Sequence, residues 1–97
     1  MNIQKLMKQA QQMQDKMQRE LAELEVESSV GGGMLTLKMN GHKELLAVAI
    51  DAEVLDPEDP SMLQDLIVAA VNDAGRKVDE AMREKMGGLG MQIPGLT

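Results

Sequence analysis

The sequence contains no Phe, Tyr or Trp, and no Cys. Aromatic side chains bury roughly 150–250 Å² each and dominate most cores. Here Leu, Ile, Val and ten Met must fill that role, and Met adapts both to irregular core gaps and to partner surfaces. The lack of cysteine excludes disulfides, zinc–thiolate sites and thiol chemistry. Long apolar runs are missing too. The longest are Leu45–Ile50 and Leu66–Val71, far short of the roughly 18 residues that span a bilayer. Met1-Asn2-Ile3-Gln4-Lys5 has none of the apolar core of a signal peptide. These absences give the expectation of a soluble, cytoplasmic chain with no membrane partner.

What is present fits one domain. A chain of 97 residues buries only about 60–65% of its unfolded surface, so a second copy would help it considerably. Asn2 to about Leu24 reads as one long helix, because Ile3, Leu6, Ala10, Met13, Met17, Leu21 and Leu24 recur at three- and four-residue steps without Gly or Pro. Such near-heptad spacing makes a narrow seam of the kind that meets another helix.

The period then becomes alternating. Val26, Ser28 and Val30 mark a first strand, ended by Gly31-Gly32-Gly33, and Met34–Met39 a second. Asn40-Gly41 predicts a two-residue type I′ turn, which would set Leu46 opposite Leu35 in a return strand from about His42 to Ile50. That strand would carry Leu46, Val48 and Ile50 on one face and Leu45, Ala47 and Ala49 on the other. A strand apolar on both sides needs cover on both: the chain's own helices on one, a second subunit on the other.

After the acidic loop Asp51–Pro60, Asp59-Pro60-Ser61 opens a second long helix. Its stripe of Leu63, Leu66, Ile67, Ala70, Val71, Ala74, Val78, Ala81 and Met82 has the helical period. Gly75 interrupts it, and Gly87-Gly88 stops it. The fold class is α+β: helix, three-stranded antiparallel meander, helix, in a single domain over 1–88. A flexible Gly-rich tail follows over 89–97.

Chemistry is scarce. Ser28, Ser29 and Ser61 have only His42 as a conceivable base, and it sits beside a hairpin turn. Asp51, Glu53, Asp56, Glu58 and Asp59 alternate like calcium ligands, but the bracketing prolines and the missing Gly and terminal Glu break that pattern. Gly31-Gly32-Gly33 joins strand to strand, whereas phosphate cradles lead into a helix N-terminus. No enzyme, metal or cofactor is therefore expected.

The net charge of −6 argues on average against nucleic acid, but electrostatics depends on placement. Residues 1–19 carry Lys5, Lys8, Lys16 and Arg19 against Asp15, and residues 20–27 carry only Glu20, Glu23, Glu25 and Glu27. Arg76, Lys77, Arg83 and Lys85 lie towards the end of the second helix, where they favour its dipole and can form pairs such as Asp73–Lys77 and Asp79–Arg83. Doubled by dimerisation, the eight cations could straddle a duplex backbone through phosphate contacts largely indifferent to sequence.

Gly31-Gly32-Gly33-Met34 and Met39-Asn40-Gly41-His42-Lys43-Glu44-Leu45-Leu46 resemble the YbaB/EbfC family of bacterial nucleoid-associated proteins. So do Ile50-Asp51, Val54-Leu55-Asp56-Pro57-Glu58-Asp59, Leu63–Ala74 and Lys85-Met86-Gly87-Gly88-Leu89-Gly90. Gly75 departs from the pattern, where a larger helix former is expected. The resemblance implies an αβββα homodimer shaped like tweezers, with protruding helices. It also implies a nucleoid role binding double-stranded DNA, with effects on gene expression and no cofactor. A dimeric adaptor for a replication or recombination protein is the competing expectation.

Overall fold

The structure, a computed structural model, describes residues 2–88, with the side chains described up to residue 85. The expected tail over 89–97 lies outside the described residues. The order is α1 (Ile3–Glu23), β1 (Glu25–Val30), β2 (Leu35–Asn40), β3 (Leu45–Ile50) and α2 (Pro60–Gly88). The strands form one antiparallel sheet in the order β1-β2-β3. This is the α+β meander between two helices that the change of period predicts.

Asn2 caps α1, its side chain accepting from the Lys5 N–H. Gly31, Gly32 and Gly33 all adopt left-handed φ angles, which only glycine takes without strain. They form a tight turn between β1 and β2, and a Cβ on Gly31 would meet Leu66 of α2 at 2.8 Å.

One face of the sheet meets α2. Val26, Ser28 and Val30 align with Met39, Leu37 and Leu35 across β1 and β2. Onto this face α2 sets Ala70, Ala74 and Val78, so that Leu35, Leu37, Met39 and these three form the buried core. Alanines at the crossing let the helix lie close.

Three expectations are corrected. First, Ile50 rather than Leu46 stands opposite Leu35, and Leu46 is the extra residue of a bulge where β2 shifts from Lys38↔Ala47 to Met39↔Leu45. The turn is longer than two residues because Asn40 bonds within a wider turn and Gly41 bonds to α1. Asn40 Oδ1 accepts from the backbone N–H groups of His42 and Glu44, the positive φ falls on Lys43, and Gly41 donates to Leu21 O of α1 at 2.8 Å. Second, α1 buries no residue and touches β2 only at its end, so it does not cover the sheet. Third, α2 lies over β1 and β2, leaving β3 exposed on both faces, including Val48 (48% exposed) and Ile50 (38%). The uncovered large apolar side chains of the sheet therefore include those on the side expected to be covered by the chain's own helices. With α1 projecting, the radius of gyration is 18.7 Å, against about 12.5 Å for a compact chain of this length.

Candidate nucleic-acid interface

Eleven residues make just over three helical turns. The spacing Lys5, Lys8, Lys16, Arg19 therefore brings all four cations onto one stripe of α1, roughly 21 Å long. Ile3, Leu6, Met13 and Met17 run along the opposite side. Every residue from Asn2 to Arg19 is exposed. None of the four cations forms a salt bridge among the described residues. A stripe with no salt-bridge partner among the described residues has its hydrogen-bonding capacity available to an anion.

On α2 the four cations differ. Lys77 Nζ donates to Glu27 O at 2.8 Å and lies 3.5 Å from Asp73, so it ties α2 to β1. Lys85 Nζ lies 3.7 Å from Glu20 and links the end of α2 to the end of α1. Arg76 stands 3.9 Å from Asp73, with most of its side chain in solvent. Arg83 is exposed, with no salt bridge among the described residues. The pair Asp73–Lys77 forms as its spacing predicts. Asp79 instead meets Lys43 of the β2–β3 turn at 3.1 Å, since that turn brings a cation across the helix.

Sequence reasoning missed one polar link. Ser28 is fully buried, and its hydroxyl donates to Asp73 Oδ2 at 2.8 Å. This bond, with further support from Lys77 and Arg76, holds the Asp73 carboxyl below its ordinary value of 3.8 against the opposing effect of desolvation. The available signal was a Ser at the inward position of an alternating strand, where a buried hydroxyl must find a partner.

The charges are segregated along the fold. Between Lys43 and Arg76 the sequence has no Lys, Arg or His, but it has Glu44, Asp51, Glu53, Asp56, Glu58, Asp59, Asp65 and Asp73. The loop after β3 and the start of α2 therefore make an acidic body, and α1 up to Arg19 makes a basic arm. The loop's acids partly serve the backbone, with Asp51 and Asp56 accepting from the N–H groups of Glu53 and Glu58. Among the described residues no cluster of three or more His, Cys, Asp or Glu is placed to hold a metal ion, and no helix is long and apolar enough to cross a membrane.

A family model described as the YbaB/EbfC DNA-binding family matches residues 1–93. The chain belongs to this family. It is 51% identical over 100 residues to a nucleoid-associated protein of Alkaliphilus metalliredigens, covering 98% of this chain and 88% of that one. A nucleoid-associated protein of Chloroflexus aurantiacus is 48% identical over 99 residues, covering 99% of both. Among solved structures, the uncharacterized protein HP0035 of Helicobacter pylori superposes with a TM-score of 0.74 over 94% of this chain and 99% of that one. At 23% identity that likeness shows the fold alone. The arrangement seen here, a YbaB/EbfC chain with a basic arm on an acidic body, makes its cations available at the arm.

Proposed function

We propose that this chain is a nucleoid-associated protein of the bacterial cytoplasm. In this reading it binds double-stranded DNA as a homodimer, alters DNA conformation and so influences gene expression, with the domain over 1–88 as the binding unit. The reading rests on one observation: Lys5, Lys8, Lys16 and Arg19 form a single exposed stripe on a helix that buries nothing in its own chain. The Lys5/Lys8 pair stands about 16 Å along the helix from the Lys16/Arg19 pair, enough to reach phosphates on both sides of a groove roughly 12 Å wide. Arg76 and Arg83 extend the footprint. Lys77 and Lys85 join it after leaving their partners within the chain.

The homodimer is supported by what one chain leaves uncovered. Leu45, Leu46, Val48 and Ile50 on an edge strand are half-exposed, and so is the apolar seam of α1. An open edge strand of this kind attracts another chain unless it is covered, and a second copy is the simplest cover.

Fluorescence anisotropy of a labelled duplex, titrated at several salt concentrations, tests the reading. Phosphate contacts make log K fall linearly with log salt, with a slope of about −0.9 per contact. Steep salt dependence is the expected result, and absence of binding at low salt overturns it. The adaptor reading has one observation in its favour, the apolar groove of Val54, Leu55, Pro57, Pro60 and Leu63 beside the acidic loop. Salt-insensitive docking of a replication or recombination protein there, without DNA binding, would replace the DNA reading.

A further inference from the structure

Asn40-Gly41 is the chain's one Asn-Gly pair, and the structure holds both residues in an unusual lock. In a free chain this dipeptide deamidates readily, because glycine places no side chain in the way of its own backbone nitrogen. That nitrogen, once deprotonated, attacks Asn Cγ. A C–N bond forms, the Cγ–Nδ2 bond breaks, and ammonia leaves a five-membered succinimide. Water then opens either carbonyl of the imide, giving aspartate or isoaspartate.

Here every participant is occupied. Asn40 is only 5% exposed. Its Oδ1 accepts from His42 N at 2.9 Å and Glu44 N at 3.0 Å, and its Nδ2 donates to Glu44 Oε1 at 3.0 Å. The attacking atom, Gly41 N, gives its hydrogen to Leu21 O at 2.8 Å. The last turn of α1 lies directly on Gly41, where a Cβ would come within 2.5 Å of Leu21 O and 2.9 Å of Leu21 Cα.

We propose that Asn40 is a deamidation site guarded by the docked end of α1, so that its modification records detachment of the arm. Within one chain the guard is weakly held. No residue of α1 is buried, and the Glu20–Lys85 pair beside the joint is half-exposed, a kind of pair that contributes little. Such an element opens locally long before the sheet does. Opening frees Gly41 N, and the product cannot return to the lock. An aspartate at position 40 has no Nδ2 donor for Glu44 and sets a second carboxylate against it. Detachment is thereby converted from a reversible motion into a permanent covalent change, with water as the only reagent.

The test follows Asn40 in the full chain by peptide mass spectrometry in mildly alkaline buffer, scoring the gain of one mass unit and the isoaspartate product. The native chain is expected to react at least about tenfold more slowly than the chain unfolded in urea. At urea concentrations that leave hydrogen exchange in β2 unchanged, the rate should already exceed what unfolding of the sheet allows and should vary only shallowly with urea, because detaching α1 exposes little surface. Equal native and unfolded rates would overturn the proposal, as would a rate that follows the steep urea dependence of hydrogen exchange in β2 at every concentration. Leu21→Pro, which breaks the last turn of α1, should react about tenfold faster than the parent. A parental rate with the sheet intact counts against the guard, and if the sheet is lost in that variant, the urea series decides. Asn40→Asp should speed proteolysis after Lys16 and Arg19, and parental resistance there would refute the permanent change.

Discussion

At the scale of single residues, the fold is secured by a few positions with no tolerance. Leu35 is fully buried at the start of the central strand, in one core cluster with Ala70 and Ala74. Leu35→Ala is expected to lose roughly 2–5 kcal/mol in a urea titration, from lost transfer energy and the cavity left behind. The Ser28–Asp73 bond gives a signed pH dependence. The Asp73 carboxyl titrates lower in the fold than its ordinary 3.8, chiefly because Ser28 donates to it. Its contribution to stability is therefore complete above the unfolded value and is lost as pH falls through the depressed folded value. Thermal melting from neutral to acid pH should show a decline below about pH 4 that is shallower in Ser28→Ala. NMR titration of that variant should place Asp73 closer to its ordinary value. An unchanged titration would mean that the hydroxyl is not the cause.

At the scale of elements, α2 carries the core and α1 carries almost nothing, although both have clean apolar stripes. Gly75 sits inside α2 with nothing within 4 Å of where its Cβ would be. Gly75→Ala should therefore raise stability by about 1 kcal/mol, the ordinary helix preference of Ala over Gly, as measured by thermal or urea melting. The identity and order of the elements were legible because the hydrophobic period changes from helical to alternating and back at Leu24 and Pro60. The basic stripe was legible for the same reason, since residue spacing on a helix fixes direction. The register of β3 was not. Asn-Gly ordinarily signals a tight turn, but here the Asn40 side chain organises a wider turn through His42 and Glu44, and the Gly41 amide binds Leu21 of α1, a demand from outside the hairpin. Nor could spacing show that Lys77 reaches Glu27 O, a partner 50 residues away in the chain. Periodicity likewise marks α1 as amphipathic without saying whether its own sheet or another chain covers it.

At the scale of the whole molecule, the proposed dimer and the proposed DNA surface are separable by mutation. Val48→Asp places a charge on the exposed edge strand β3. It should shift sedimentation equilibrium towards monomer, because an unpaired carboxylate resists burial. Reversing Lys5, Lys8, Lys16 and Arg19 to Glu should leave the sedimentation behaviour unchanged while abolishing duplex binding at moderate salt. Retained affinity in that variant would move the DNA surface away from α1. The acidic body has a consequence of its own for many molecules on one chromosome. With every base absent between Lys43 and Arg76, neighbours held by their arms would turn strongly negative flanks towards one another and towards adjacent duplex. Over distances of about 10 Å or less that repulsion is only partly screened. Occupancy along DNA should then be spaced rather than contiguous, so that the protein decorates the duplex sparsely instead of coating it.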